Sequence, residues 1–348
     1  MRWFLGLVLV IALVAGALYG VGRLLLPDEL SVTRTTAIAR PRATVFAMAN
    51  DLRILKEWSP YYALDPDADF AFSGEPGSGQ TMRWSSDVRQ VGEGRMSIVN
   101  SEENRSVESI LELRDRATLN TRMEFARAAG GTNVSWSVSA ECAEGAVNVP
   151  CRYMNLIMRR MIERDLDSGL GRLKTLSEQL PDVDFEGLEP QIDEVTPQAY
   201  VYVPITTSNQ DPVQVEGALA RGLAQVDEFM TANVLTRAGP QIRVTTEWDA
   251  AAQRMSFRVG YPFSGPTPLT VVGVQIGETP SGNAVHVVHE GARAAMPTTY
   301  ARLYAYLMAH RIQPRDGGLP WEVVLDEGAS DGARPMRAEI FVPLQQAR

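Results

Sequence analysis

Lysine is nearly absent from this 348-residue chain: only Lys56 and Lys174 occur, and arginine carries almost all the positive charge. Basic residues number 33 against 42 acidic ones, a formal net charge of -9, so the chain lacks the basic face that a phosphate backbone requires and no nucleic-acid partner is expected. Histidine is scarce too. His286 and His289 sit three apart on one strand-like run, so they point to opposite faces and cannot chelate one ion, and His310 lies near a helix end. No metal site is expected. Nor is there an HExxH pair, a phosphate loop, a dinucleotide fingerprint or a nucleophile-elbow serine, and Gly77-Ser78-Gly79 reads as a hairpin turn. No cofactor is implied.

Cysteine occurs twice. Cys142 ends the strand-like run Val134 to Ala140, Cys151 opens a helix-like run, and the loop Ala143 to Pro150 is short enough for one bridge to close. A Cys142–Cys151 disulfide is therefore expected, and such a bond persists in an oxidising compartment. One stretch lacks charge altogether, Trp3 to Gly22. About 20 apolar residues in a helix cross a hydrocarbon core of about 30 Å. A cleaved signal peptide is the alternative, with Ala15-Gly16-Ala17 as the cleavage site. The apolar run continues through Leu24-Leu25-Leu26 past that site, which favours a retained anchor, and no cysteine follows it to make a lipoprotein. Arg2 and Arg23 nearly balance across the run, so flanking charge sets no orientation. The cysteine pair does: it places the soluble part outside the cytoplasm, as a single-pass protein of a bacterial inner membrane with periplasmic domains.

What remains is ordinary globular material, 45% apolar and 22% charged, long enough for two domains. After the anchor (1–30), residues 31–181 read as one domain. Ser31 to Ala39 is a strand, Arg40-Pro41 starts a helix with Val45, Phe46 and Ala49 on its apolar face, and Asp51 to Trp58 is a second helical piece. Six strands follow, Phe70 to Ser73, Gln80 to Val88, Arg95 to Asn100, Val107 to Leu113, Thr118 to Phe125 and Asn133 to Ala140, mostly separated by Gly, Asn or Asp as in an antiparallel meander. A long helix, Tyr153 to Gln179, carries Leu156, Met161, Leu166, Leu170, Leu173 and Leu176 at helical spacing. A curved sheet wrapped on a helix encloses a cavity. Trp58, Trp84 and Trp136 are aromatic candidates for its wall, although core packing explains them better, and Glu124 and Arg83 are the charged candidates for its interior.

The motifs Ala43-Thr44-Val45-Phe46, Asp51, Trp58-Ser59-Pro60, Asp65-Pro66, Gly77-Ser78-Gly79, Met82-Arg83-Trp84, Gly92-Glu93-Gly94, Gly131-Thr132-Asn133-Val134-Ser135-Trp136 and Gly169-Leu170-Gly171-Arg172-Leu173-Lys174 follow one another in order. Over Ser31 to Leu180 the chain thereby resembles the SRPBCC superfamily, in its START-like polyketide cyclase/dehydrase branch. The resemblance implies a helix-grip fold with a hydrophobic pocket and no particular reaction.

Residues 182–197 are acidic and aperiodic and read as a linker. Over 198–348 a strand-helix-strand-strand unit occurs twice: Ala199 to Ile205, Pro212 to Leu235, Ile242 to Thr246 and Met255 to Val259, then Val285 to His289, Thr298 to His310, Glu322 to Leu325 and Ala338 to Pro343. The repeat suggests a pseudo-two-fold pair of sheets with a cleft between them. Val287-Val288-His289-Glu290-Gly291, Tyr300-Ala301-Arg302-Leu303-Tyr304, Trp321-Glu322-Val323-Val324-Leu325-Asp326 and Glu339-Ile340-Phe341-Val342-Pro343-Leu344 resemble the GyrI-like effector-binding domain of AraC- and MerR-type regulators. That resemblance implies that the acidic residue matching Glu322 reaches the cleft and meets cationic or polar ligands. Val324 replaces the usual tyrosine, and the first repeat offers only Glu247, loosely aligned.

The overall expectation is an α+β protein with an N-terminal transmembrane helix, a helix-grip domain and a duplicated GyrI-like domain. It is a membrane-anchored binder of hydrophobic or cationic small molecules, with one pocket per soluble domain. Candidate ligand contacts are Glu322, Trp321, Tyr304, Trp84 and Glu124. Two alternatives stand beside this: a hydrolase or cyclase for a small hydrophobic substrate with Glu322 as acid/base, and a purely structural Glu322 paired with Arg337 or Arg243.

Overall fold

The computed structural model describes residues 2–60, 62, 64–114, 117–142, 148–208, 211–249, 251–266, 268, 272–328 and 335–345. The chain is α+β and divides into two units, Met1–Glu186 and Gly187–Arg348.

The first unit opens with α1 (Arg2–Leu25). Within it Trp3–Leu25, with a mean hydropathy of 2.6, is long and apolar enough to cross a membrane by length and composition. β1 (Glu29–Ile38) follows, then α2 (Arg42–Ala49) and α3 (Leu52–Trp58), then the meander β2 (Asp69–Ser73), β3 (Thr81–Ser85), β4 (Gly94–Glu102), β5 (Ser106–Leu113), β6 (Ala117–Ala128) and β7 (Gly131–Glu141), and finally α4 (Asn148–Glu178). The seven strands form one antiparallel sheet in the order β1-β7-β6-β5-β4-β3-β2. Period-2 alternation directs Leu119, Met123 and Phe125 of β6 inward, while Asn120, Arg122 and Glu124 face out. α4 lies on the inner face, where Ile162 and Leu166 pack on Leu30, Val32, Leu119 and Val138. This arrangement is consistent with a helix-grip fold. α3 is fixed by Asp51, whose side chain accepts from the Arg53 N–H at 2.9 Å. The buried Gln80 amide braces that cap, donating to Asp51 at 2.6 Å and accepting from the Leu52 N–H at 2.7 Å.

Cys142 and Cys151 are joined by a disulfide with Cα atoms 5.8 Å apart. Most of the expected loop, residues 143–147, lies outside the described residues. α4 begins at Asn148, so Cys151 sits in its first turn and the bridge ties that turn to the end of β7. Closing a loop this short contributes about 2–3 kcal/mol in the chain-entropy picture. Cys142→Ser/Cys151→Ser is expected to lower the denaturant midpoint of the first unit's unfolding accordingly. An unchanged midpoint would count against the bridge, as would two alkylatable thiols in unreduced protein.

The second unit contains β8 (Gln191–Val195), β9 (Ala199–Ser208), α5 (Pro212–Ala232), β10 (Thr236–Arg237), β11 (Gln241–Asp249), β12 (Arg254–Ser264), β13 (Gln275–Glu278), β14 (Gly282–Gly291), a 3-10 turn (Arg293–Ala295), α6 (Met296–Ala309), β15 (Trp321–Asp326) and β16 (Met336–Pro343). The segment read as a linker thus carries a strand: β8 pairs with β14 as an edge of the sheet. Its side chains are largely exposed, so no apolar alternation marked it in the sequence. The expected pair of sheets is also corrected. The strands form one sheet in the order β13-β9-β12-β11-β15-β16-β14-β8, because β11 and β15 pair directly, Arg243 opposite Glu322. α5 packs on one half of a face through Val226, Phe229 and Met230, and α6 on the other through Leu303 and Leu307.

Candidate functional site

In the first unit α4 and the sheet enclose a cavity of about 530 Å³. Met82 and Trp84 of β3, Met96 of β4 and Leu111 and Leu113 of β5 line one side, with Leu119 and Trp136 beyond them. Met154, Met158 and Met161 of α4 line the other, together with Ile162 and Asp165. Their spacing of four and three residues sets the methionines in one stripe along the helix. Methionine is unbranched and polarisable, so this stripe makes an apolar, deformable wall.

The tryptophans divide by role. Trp58 is fully buried, donates from Nε1 to the Met48 carbonyl at 3.0 Å and meets Trp136 edge to face at 5.5 Å. Trp136 donates to the Thr121 hydroxyl at 2.6 Å. Trp84 is only partly buried, with a 3.4 Å contact from Nε1 to the Val91 carbonyl. All three border the cavity, Trp58 from the buried core and Trp136 and Trp84 as partly buried wall. Two glycines make the space. A Cβ on Gly94, opposite Trp84 in the β3–β4 register, would lie 2.3 Å from the Trp84 ring, and one on Gly169 would lie 2.7 Å from the Trp136 ring.

Glu124 and Arg83 are not in this cavity. Glu124 faces out from the sheet and pairs with Arg122 at 2.9 Å, and Arg83 is exposed on β3. Their strand neighbours Met82, Met123 and Phe125 are buried on the face that the helices cover, which leaves Arg83 and Glu124 on the opposite, solvent face. Of the expected helix stripe, Leu156 is more than half exposed and outside the cavity, while Met161, also more than half exposed, lines it. Among the described residues, the charged groups that do line the cavity are Lys56, on α3, and Asp165. Sequence reading passed over Lys56, although it is one of only two lysines and α3 presents it two residues before Trp58.

In the second unit Glu322 is 1% exposed at the centre of the sheet. Its carboxylate oxygens both lie 2.6 Å from Arg243 Nη2, and Tyr300 donates its hydroxyl to Oε1 at 3.0 Å. The pairing with Arg243, one of the two expected alternatives, is the arrangement present, and Arg337 is exposed on the other face. Burial works to lower the Arg243 pKa, but the Glu322 carboxylate outweighs it and holds the guanidinium above its ordinary value. Burial, and then the Glu322 charge, push the Tyr300 phenol well above its usual value. Gln241, two residues before Arg243, is buried on the same face with neither amide atom hydrogen-bonded among the described residues.

Trp321 does not share this site. Adjacent residues of a strand point to opposite faces, and Trp321 is buried on the other one, stacked on Phe341 at 4.8 Å and packed with Tyr200 and Tyr202. The alternation that excludes it was present in the sequence. Tyr304 does lie near, one turn beyond Tyr300 with ring centroids 6.5 Å apart, and burial raises its pKa. His289 bonds Thr299 at 2.8 Å, while His286 contacts Asp193 at 2.9 Å. No group of three metal-ligating side chains occurs among the described residues.

Residues 29–178 match the family model of polyketide cyclase/dehydrase and lipid transport proteins. The matched segment is β1 through α4, the elements that build the cavity. A search of curated proteins gives no match. Similar solved structures include the EcmrR C-terminal domain (15% identity, 46% of this chain and 99% of that chain covered, TM-score 0.40). They also include protein CV1439 from Chromobacterium violaceum (14%, 44% and 99%, TM-score 0.31) and the protein of unknown function SA2116 from Staphylococcus aureus (12%, 44% and 98%, TM-score 0.35).

Proposed function

We propose that the chain is a membrane-anchored binding protein that holds a small hydrophobic molecule in the cavity of its first unit. The observation that carries this reading is the cavity of about 530 Å³, walled by tryptophan, methionine and leucine. Its size and lining suit a small, largely apolar ligand. The family description, which includes lipid transport, agrees with such cargo.

Anchoring is supported by α1 and by its junction with α4. Tyr153 donates its hydroxyl to the Leu18 carbonyl at 2.8 Å, and Arg152 donates to the carbonyls of Arg23 at 3.1 Å and Leu26 at 2.6 Å. α4 therefore starts beside the end of the apolar helix, where it exposes Leu156 (58%) and Ile157 (64%) next to the exposed Arg160 and Arg164. Apolar side chains mixed with arginines suit the headgroup level of a bilayer. The disulfide supports a periplasmic placement.

The second unit is read as GyrI-like, with β9-α5-β11-β12 and β14-α6-β15-β16 as its two copies, and as a further small-molecule module. Glu322, already engaged by Arg243 and Tyr300, favours a binding scaffold over an acid/base enzyme.

The test is to express the full chain in a bacterial host, wash membranes with alkaline carbonate, purify the protein and extract it for mass spectrometry. The expected result is retention in the washed membrane and an apolar compound in the extract, lost in Met158→Trp, which fills the cavity. Release by carbonate would reject the anchor. An extract without compound, together with no rise in melting temperature across a panel of apolar ligands, would reject binding.

A further inference from the structure

The cavity binds something hydrophobic in the reading above, and the inference here rests on that reading and specifies one end of the ligand. Lys56 is half-buried at the cavity wall. Its Nζ stands 5.3 Å from the Phe70 ring centre, 5.6 Å from Tyr62 and 5.7 Å from Phe72. Tyr62 and Phe70 line the same cavity. Among the described residues no carboxylate pairs with this ammonium group, and it donates no hydrogen bond to protein.

The neighbouring cation shows the contrast. Arg53 stands over the same Phe72 ring at 6.0 Å, but it also pairs with Asp51 at 3.6 Å and donates to the Gly74 carbonyl at 3.1 Å. The other charged wall residue, Asp165, belongs to α4 and is itself engaged. Aromatic faces attract a cation but supply no hydrogen-bond acceptor. An ammonium with three donors, partly withdrawn from water and facing an apolar space, is therefore matched by a ligand that brings an anionic oxygen to it.

We infer that the cavity selects anionic amphiphiles, compounds with an apolar body and a carboxylate or comparable acidic head, and that Lys56 holds the head. The apolar body lies against the tryptophans and methionines, and the acid group sits at the aromatic-lined wall by α3. A half-exposed charge-assisted contact of this kind is expected to contribute about tenfold in affinity.

The test uses the full chain in nanodiscs, with empty nanodiscs subtracted, and two probes: dansyl-undecanoic acid and its methyl ester. Trp58, Trp84 and Trp136 border the cavity, so tryptophan-sensitised dansyl emission reports occupancy. The acid is expected to bind wild type about tenfold more tightly than the ester. K56M should lower affinity for the acid about tenfold and leave the ester within about twofold, and K56R should keep the preference. Ester binding serves as the control for folding. Equal binding of acid and ester to wild type, or an equal loss of both in K56M, would overturn the headgroup assignment while leaving the cavity reading in place. Failure of both probes to bind wild type would overturn the two together.

Discussion

Arg243→Met is expected to destabilise the second unit by about 3–5 kcal/mol, because it leaves the Glu322 carboxylate inside the protein without its cation. The magnitude follows from burial. Glu322 is 1% exposed and Arg243 8%, so water cannot replace the lost partner, and the Tyr300 hydroxyl at 3.0 Å satisfies only one oxygen. The double change Arg243→Met/Glu322→Leu should recover most of the loss, since a buried ion pair exchanged for apolar groups of similar volume is often neutral or stabilising. Denaturant unfolding of wild type, both single variants and the double variant forms a cycle whose coupling energy is the quantity of interest. Near-additive losses would show that the pair contributes nothing, and Glu322 would again be open to a role as a ligand contact.

Trp58→Ala is expected to cost the first unit about 3–5 kcal/mol, the range for emptying a fully buried tryptophan site. Three losses combine: the apolar burial, the Nε1 bond to the Met48 carbonyl and the edge-to-face contact with Trp136. Trp58→Phe should restore most of the packing and leave about 1–3 kcal/mol for the unsatisfied Met48 carbonyl. Trp84→Phe, at a partly buried wall position, should change stability by less than Trp58→Phe and act mainly on probe affinity. Thermal unfolding beside dansyl-probe titration separates these outcomes, and a Trp58→Ala protein with unchanged melting would show that its site is not the packed core described here.

Much of this architecture could be read from residue order alone, because its signals are local. The uncharged run Trp3 to Gly22 became one helix, and six meander strands were found within a few residues of their ends, since polarity alternates along each and Gly, Asn or Asp breaks them. The cysteine pair and the long helix were legible for the same reason. β8 was not, because an exposed edge strand has no hydrophobic face to display.

The sites needed the tertiary structure. Alternation says that Glu124 and Phe125 face opposite ways, but only the packing of helices on the sheet, with Phe46 of α2 edge to face on Phe125, decides that Phe125 turns inward and Glu124 meets solvent. Glu322 and Arg243 are 79 residues apart, and which arginine pairs with this carboxylate depends on the β11–β15 register. Lys56, too, is an unremarkable helix residue until Tyr62, Phe70 and Phe72 are folded around it. Periodicity is a property of a single element and survives in one dimension, whereas a binding site is made by side chains from different elements and exists only once the sheet register and the helix packing have brought them within a few ångströms.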